Sequence, residues 1–309
     1  MKTQPALAFS FTRLLRASMA CCLLMAGTLE QPFAQSATPL LFVEQGKIGY
    51  KDVSGKTIIA PQFGMAGRFS EGLANAQMTG TGKFGFIGLK GEWKIKADFD
   101  AAGDFSEGMA RVQQQGKWGY IDKTGQWKIS PQFQLCYEFV QGFAIAQKAG
   151  KWGIIDKKGS WVLAPSFYDI STPANGWYSA KPTLSEPWKI FNMRQPPPAA
   201  GFSASKIKAF STNGLAPARD AQDKWGIIDT TGAWVVAPQF SNLEPFAEGM
   251  AAAEKDFSSW GYIDSKGQWK IAPAYDRAGT FWKAAALVEK GNSISYINPN
   301  GQLLFSFSR

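Results

Sequence analysis

Four stretches of this chain read almost alike: Gly116-Lys117-Trp118-Gly119-Tyr120-Ile121-Asp122, Gly150-Lys151-Trp152-Gly153-Ile154-Ile155-Asp156, Asp223-Lys224-Trp225-Gly226-Ile227-Ile228-Asp229 and Ser259-Trp260-Gly261-Tyr262-Ile263-Asp264. Weaker copies stand at Lys47-Ile48-Gly49-Tyr50, Lys83-Phe84-Gly85-Phe86 and Asn292-Ser293-Ile294-Ser295-Tyr296-Ile297. The glycine position falls at 49, 85, 119, 153, 226, 261 and 295, so the intervals are 36, 34, 34, 73, 35 and 34. Such a period marks one supersecondary unit copied in tandem. The interval of 73 spans two periods, which places a degenerate fifth copy at about 176–214.

Each unit predicts three short strands. Strand a is the Trp-Gly-Tyr-Ile segment. A turn such as Asp122-Lys123-Thr124-Gly125 leads to strand b, the Trp127-Lys128-Ile129 type, which stops at Pro131, Pro165, Pro238 or Pro273. Proline lacks a ladder donor, so it ends or edges a strand. A loop of roughly ten residues then leads to strand c, such as Gly108-Met109-Ala110-Arg111-Val112. The short connections run c to a and a to b, so the expected packing unit is the meander c-a-b. A lone meander cannot cover both of its faces, and neighbours must stack.

The predicted fold class is therefore all-β: eight tandem antiparallel meanders of about 34 residues. The preferred arrangement is an open β-solenoid or superhelix, because the terminal copies are eroded as caps would be. A closed propeller-like ring is the alternative.

The Lys-Trp-Gly-[Tyr/Ile]-Ile-Asp, x-x-Gly-x-Trp, Pro-x-Phe and Phe-x-Glu-Gly-[Leu/Met]-Ala series resembles the WG-containing repeat family of bacterial proteins. The resemblance runs over about 38–305. It implies an all-β repeat array, often exported, without established catalytic activity or cofactor. The departures are Ile48 and Phe84 in place of Trp, Ser295 in place of Gly, and the scrambled fifth unit.

Domain organisation is read as a signal peptide at 1–34 followed by one repeat domain at 35–309. Lys2, Arg13 and Arg16 precede the apolar run Ala17–Ala26, which is too short to span a bilayer. Cleavage is expected at Ala34, with Ala26 and Gly27 as other small-residue points. Cys21 and Cys22 raise a lipoprotein alternative, which Ser18, Met19 and the nearby Arg16 disfavour. The product is expected in the periplasm or outside the cell, with no transmembrane segment.

The chain has 33 Lys and Arg against 24 Asp and Glu, a net charge of +9. Without residues 1–34 the balance is 30 against 23, or +7, with no run of five like charges. That argues against nucleic acid as a partner. There are 12 Trp and no His. The missing His excludes Ser-His-Asp and Cys-His nucleophiles and His-based metal sites. Beyond the leader only Cys136 is left, and it cannot form an intramolecular disulfide.

The recurring Asp122, Asp156, Asp229 and Asp264 read as turn residues, and Glu71, Glu107 and Glu248 as parts of repeated turns. Trp118, Trp127, Trp152, Trp161, Trp225, Trp234, Trp260 and Trp269 alternate with apolar neighbours and read as core. Trp177, Trp188 and Trp282 depart from that pattern and are the candidate ligand contacts. Arg194 joins them, beside Pro196-Pro197-Pro198 and the basic Lys206 and Lys208 of the irregular fifth unit. No metal, cofactor or catalytic residue is assigned. The expected function is a non-enzymatic exported scaffold binding a protein partner at the bacterial envelope, with the long b-to-c loops supplying the contacts. A carbohydrate or peptidoglycan module using exposed aromatics is the alternative.

Overall fold

The computed structural model describes residues 38–193 and 204–308. These form β-strands joined by turns, without a helix among the described residues. No helix there is long and apolar enough to cross a membrane. The expected signal peptide at 1–34 and Arg194 lie outside the described residues.

The third repeat shows the plan. Its sheet runs b-a-c-d, with b at Trp127–Phe133, a at Lys117–Asp122, c at Met109–Gln114 and a fourth strand d at Ala101–Ser106. Strand d lies inside what the sequence presents as a long b-to-c loop. It pairs antiparallel with c, Ala102 opposite Val112 and Phe105 opposite Ala110. The b-to-c loops are therefore largely sheet, not free contact loops. Strand b keeps its alternate residues in solvent, while d strands of successive repeats bring charged side chains together. We therefore place b at the outer rim and d at the axis.

The Trp-Gly and x-Pro motifs are two halves of one device. A Cβ on Gly119 would lie 2.4 Å from the Ile129 carbonyl oxygen and 2.8 Å from the Pro131 nitrogen. Strand b bulges across a at that point, its register shifting between Ile129 and Phe133. Glycine lets the two backbones approach, and proline sits where the bulge removes the need for a ladder donor. In the last repeat Ser295 replaces the glycine and strand b, Leu303–Ser308, has no proline. There Ile294, Ser295 and Tyr296 pair in unbroken register with Phe307, Ser306 and Phe305.

The a-to-b turns are Asp-based, as expected. Asp122 Oδ1 accepts the Thr124 and Gln126 amides at 2.9 and 3.0 Å and the Thr124 hydroxyl at 2.6 Å. Asp52, Asp156, Asp229 and Asp264 bond their turns in the same way. In five of these turns the closing glycine rests on strand b of the preceding repeat: Gly91 on Ile59, Gly125 on Ile95, Gly159 on Ile129, Gly267 on Val236 and Gly301 on Ile271.

This contact continues across the chain ends. Gly55, in the first repeat, rests on Phe305 in the last, where a Cβ would stand 3.2 Å from the Phe305 Cβ. Leu40 and Phe42 join Ala285, Tyr296 and Phe305 in one buried cluster. The array is thus closed, and the expected open solenoid of eight separately stacked meanders is incorrect. The c-a hairpin recurs eight times. Among the described residues the strands nevertheless fall into seven sheets, because the long strand Thr57–Ala66 serves the first two repeats and joins them into one six-stranded sheet. Counting each sheet as a blade, the molecule is a seven-bladed β-propeller, and the ring alternative is the one that matches. A small rotation per unit decides between an open and a closed stack, and it is a property of the packing between repeats that no single motif residue reports.

Candidate binding faces

The strand directions give the ring two ends. One carries the d-to-c and a-to-b turns, the other the c-to-a turns.

The first end is tied together by its own side chains. Glu71, Glu107, Gln141 and Asn175 sit at positive φ in four successive d-to-c turns, and Glu248 does so in the seventh repeat. The Glu71 carboxylate accepts the Gly108 amide at 3.1 Å, Glu107 accepts Gly142 at 2.9 Å, and Glu248 accepts Ala284 at 2.9 Å. Gln141 bonds Asn175, whose side-chain amide donates to the Thr212 carbonyl. Lys123 and Lys157, from the a-to-b turns, pair with Glu71 and Glu107 at 2.9 and 3.1 Å. These glutamates hold neighbouring turns in place, the structural use their recurrence predicts.

Among the described residues, the opposite end carries the most exposed large apolar side chains. Phe257, in the turn after Ala251–Lys255, is 73% exposed, and Leu184, in the connection after Trp177–Lys181, is 66% exposed. Asp256 and Phe257 both adopt positive φ, 51° and 55°. A bulky residue in that region is an outlier. Lys224 Nζ lies 5.1 Å from the Phe257 ring centroid.

The axis is polar. Arg111 Nε donates to Glu138 at 2.8 Å, and Asn75 Nδ2 to Asp104 at 2.8 Å. Burial pushes the Asp104 carboxyl up to about 6, against the pull of Arg68 and Arg111 and with a push from Glu138. Further round, Lys208 pairs with Glu244 at 3.0 Å. Burial pushes its ammonium down, which Glu244 opposes. Sequence reasoning did not single out Asn75, Asp104, Arg111 or Glu138. The available signal was the residue before the repeated Phe of strand d, which is Arg68, Asp104 and Glu138 in three successive repeats and uncharged in the others.

The predicted contacts are not brought together. Trp188 is 5% exposed and belongs to a buried cluster with Ile190, Ile207 and Phe210, so it is removed as a contact. It precedes strand a of the fifth repeat, Lys189–Asn192, and so occupies the ordinary Trp position. Trp177 opens strand c of that repeat and is half-buried against the same cluster. Trp282 lines a small recess of about 40 Å³ at the ring closure, with Leu40, Leu41, Arg68, Thr280 and Tyr296. The Arg68 guanidinium lies 5.4 Å from its ring centroid. Its Nε1 is buried without a hydrogen-bond partner among the described residues. Lys206 stands in strand d of the sixth sheet-forming hairpin, Lys206–Ile207.

The b-strand Trp residues are less buried than expected. Trp234 is 38% exposed, as is Trp93 at 39%. Trp93, Trp127, Trp161 and Trp269 instead meet edge-on the Phe that ends the preceding b strand, at 5.7–6.2 Å between centroids. Cys136 is buried, and burial pushes its thiol up to about 12. Among the described residues no three His, Cys, Asp or Glu side chains are grouped to hold a metal ion.

The signature of the WG containing repeat matches residues 48–81, 84–118, 118–152, 152–181, 225–256 and 260–292, more than half of the chain. No curated protein sequence matches. Among solved structures, a eukaryotic initiation factor is similar at 12% identity and TM-score 0.55, over 88% of this chain and 95% of that one. The dihydro-heme d1 dehydrogenase NirN is similar at 9% identity and TM-score 0.56, over 92% and 76%. BamB from Moraxella catarrhalis follows at 13% identity and TM-score 0.49, over 85% and 88%. At such identities these likenesses concern the fold alone.

Proposed function

The chain belongs to the WG containing repeat family, and from that premise we propose that it is a non-enzymatic scaffold that binds a protein partner at the bacterial envelope after export. The observation that carries this reading is Phe257. Among the described residues it is the most exposed of the large apolar side chains, and it is held in a backbone conformation unfavourable for its shape. Strain of that kind collects at functional positions. Exposed aromatics are the usual anchors of protein interfaces. The locked turns of the opposite end keep the ring rigid, so the contact face is presented with little ordering cost.

A glycan-binding reading has less support. Trp188 has moved into the core, Trp177 is half covered, and Trp93 is engaged edge-on with Phe63.

The test is site-specific photo-crosslinking from position 257 in cells, with sacculus pelleting of the purified protein in parallel. A discrete crosslinked protein, lost when Lys224 and Leu184 become Glu, is expected. Absence of any crosslink, together with pelleting that depends on Trp282, would replace the protein-binding reading with the glycan one.

A further inference from the structure

The end of the ring that carries Phe257 is unevenly charged. In several repeats the residue at the corner before strand d holds the c-to-a turn of its own repeat. In the third and eighth repeats it is an aspartate: Asp100 accepts the Gln115 amide at 2.8 Å, and Asp276 accepts the Gly291 amide at 2.7 Å. Asp100 also pairs with Lys83 at 2.5 Å. From the fourth repeat to the seventh the corner is uncharged, with Gln134, Tyr168, Ser205 and Ser241 in turn. Gln134 still accepts the Gly150 amide at 2.7 Å, and Ser241 accepts the Phe257 amide at 2.9 Å. The turns stay held while the negative charge is gone.

The lysines of that arc are left without counter-charges. Lys148 and Lys151 flank the fourth c-to-a turn, Lys224 follows the sixth and Lys255 precedes the seventh. Among the described residues none of the four is within ion-pair distance of a carboxylate. Lys148, Lys151 and Lys255 are exposed. The acids of these turns are already engaged. Glu186 pairs with Lys189 at 2.7 Å and Asp223 with Arg219 at 3.1 Å, and Asp220 accepts the Gln222 and Lys224 amides at 2.9 and 2.8 Å. Asp256 is the one turn acid without such a partner among the described residues. Lys181 differs from the four, because it stands opposite the half-buried Asp169. At the other end of the ring Lys123 and Lys157 are paired with Glu71 and Glu107. The arc that keeps its positive charge is also the arc that exposes Tyr168, Leu184 and Phe257. Like charges held on one rigid face repel each other and attract a partner of opposite sign.

We propose that this arc, from the fourth repeat to the seventh, takes an acidic segment of the protein partner. Phe257 and Leu184 supply the apolar anchors, and Lys148, Lys151, Lys224 and Lys255 meet the partner's carboxylates. The inference rests on the protein-binding reading above and names the chemistry of that partner. Apolar anchors with a polar, charged surround are the anatomy of a protein interface. Lysine suits the surround, since its ammonium is a point charge on a flexible stem and demands no fixed fork geometry from the carboxylate it meets. The Lys224 ammonium already lies 5.1 Å from the Phe257 ring centroid, so one anchor and one charge are placed together before binding. A complementary field of this kind speeds encounter and rejects basic surfaces.

The test uses the full chain with a photo-crosslinking side chain at position 257, mixed with envelope extract at about 0.05 and about 0.3 M salt, which shortens the screening length more than twofold. The yield of the crosslinked protein should fall about tenfold at the higher salt, and about tenfold in Lys148→Glu/Lys151→Glu at the lower. Lys148→Arg/Lys151→Arg should keep the wild-type yield. The salt comparison needs no variant, so it stands even if the charge reversal harms folding. The partner peptide joined to position 257, identified by mass spectrometry, should carry net negative charge. A discrete crosslinked protein whose yield ignores both salt and charge reversal, or whose joined peptide is neutral or basic, would overturn this inference and leave the protein-binding reading standing. No crosslinked protein at all would overturn that reading and this inference with it. Pelleting with phosphatidylglycerol vesicles in that case would assign the arc to a lipid surface.

Discussion

Gly55 and Phe305 lie 250 positions apart in sequence and in contact in space, the Cβ that Gly55 lacks falling 3.2 Å from the Phe305 Cβ. Five other pairs of neighbouring repeats make the same contact, so this pair is the seam of the ring. Phe305 also shares a buried cluster with Phe42. Phe305→Ala should destabilise the protein by about 3–5 kcal/mol. A double-mutant cycle of Phe42→Ala and Phe305→Ala should show coupling of about 0.5–3 kcal/mol in urea unfolding. Strict additivity would mean that the chain ends do not meet in solution.

The glycine of strand a and the bulge of strand b predict an asymmetry between repeats. Gly153→Ser puts a Cβ 2.4 Å from the Leu163 carbonyl oxygen and 2.9 Å from the Pro165 nitrogen, both backbone atoms. It should cost about 1–3 kcal/mol through forced displacement. The reverse change, Ser295→Gly, sits where the register is unbroken and loses the 2.8 Å contact with Ser306, a long 3.5 Å contact with Ser293 and some backbone restraint. It should cost under about 1 kcal/mol. Equal effects in thermal melts would dissociate the glycine from the bulge.

Trp188 and Phe257 should respond in opposite ways to truncation. Trp188→Ala empties a buried cluster and should cost about 3–5 kcal/mol. Phe257→Gly removes an exposed ring and relieves a φ of 55°. It should raise stability by about 1 kcal/mol while abolishing partner crosslinking. A destabilised Phe257→Gly protein would assign that ring a structural task.

The turn aspartates make the fold acid-sensitive. The Thr124 hydroxyl, then the Lys128 ammonium, hold the Asp122 carboxyl well below its usual range, and the Ser54 hydroxyl foremost does the same for Asp52. A carboxyl lowered in the folded state stabilises fully above its unfolded pKa of about 4 and less as pH falls below it. Urea midpoints should therefore drop below about pH 4. Thr124→Val should move the Asp122 titration upward, as followed by carboxyl NMR shifts. An unmoved titration would remove the hydroxyl from the account.

Much of this architecture is legible in the sequence because each repeated residue serves a local geometric need. Gly119, Pro131 and Asp122 encode a backbone crossing, a bulge and a turn, and each acts within one unit. Strand d was not legible. In several repeats it is a two-residue ladder, such as Leu135–Cys136 and Asp169–Ile170, too short for alternation to register. The closure was not legible either, since it depends on a rotation summed over all repeats. Trp188 misled because the residue after it is Lys189, which hides the motif. The axial charges became meaningful only once strand d was known to face inward.

Asp104 supplies the pH response of that axis. Its carboxyl is raised to about 6 chiefly by burial, with Arg68 and Arg111 pulling the other way. An acid raised in the folded state binds its proton more tightly there than in the unfolded chain. Its contribution to stability is fully present below about pH 4 and is lost as pH rises through about 6. Asp104→Asn keeps an oxygen to accept the Asn75 amide, which lies 2.8 Å from Asp104 Oδ1, and removes the titration. Relative to wild type, the variant should therefore gain stability between pH 4 and pH 7 and show no change of that difference above pH 7. Because Arg68 also lies beside Trp282, the indole resonance of Trp282 should report the same midpoint in wild type and lose it in the variant. A stability difference constant from pH 4 to pH 7 would show that Asp104 is already ionised throughout, with the two arginines outweighing its burial.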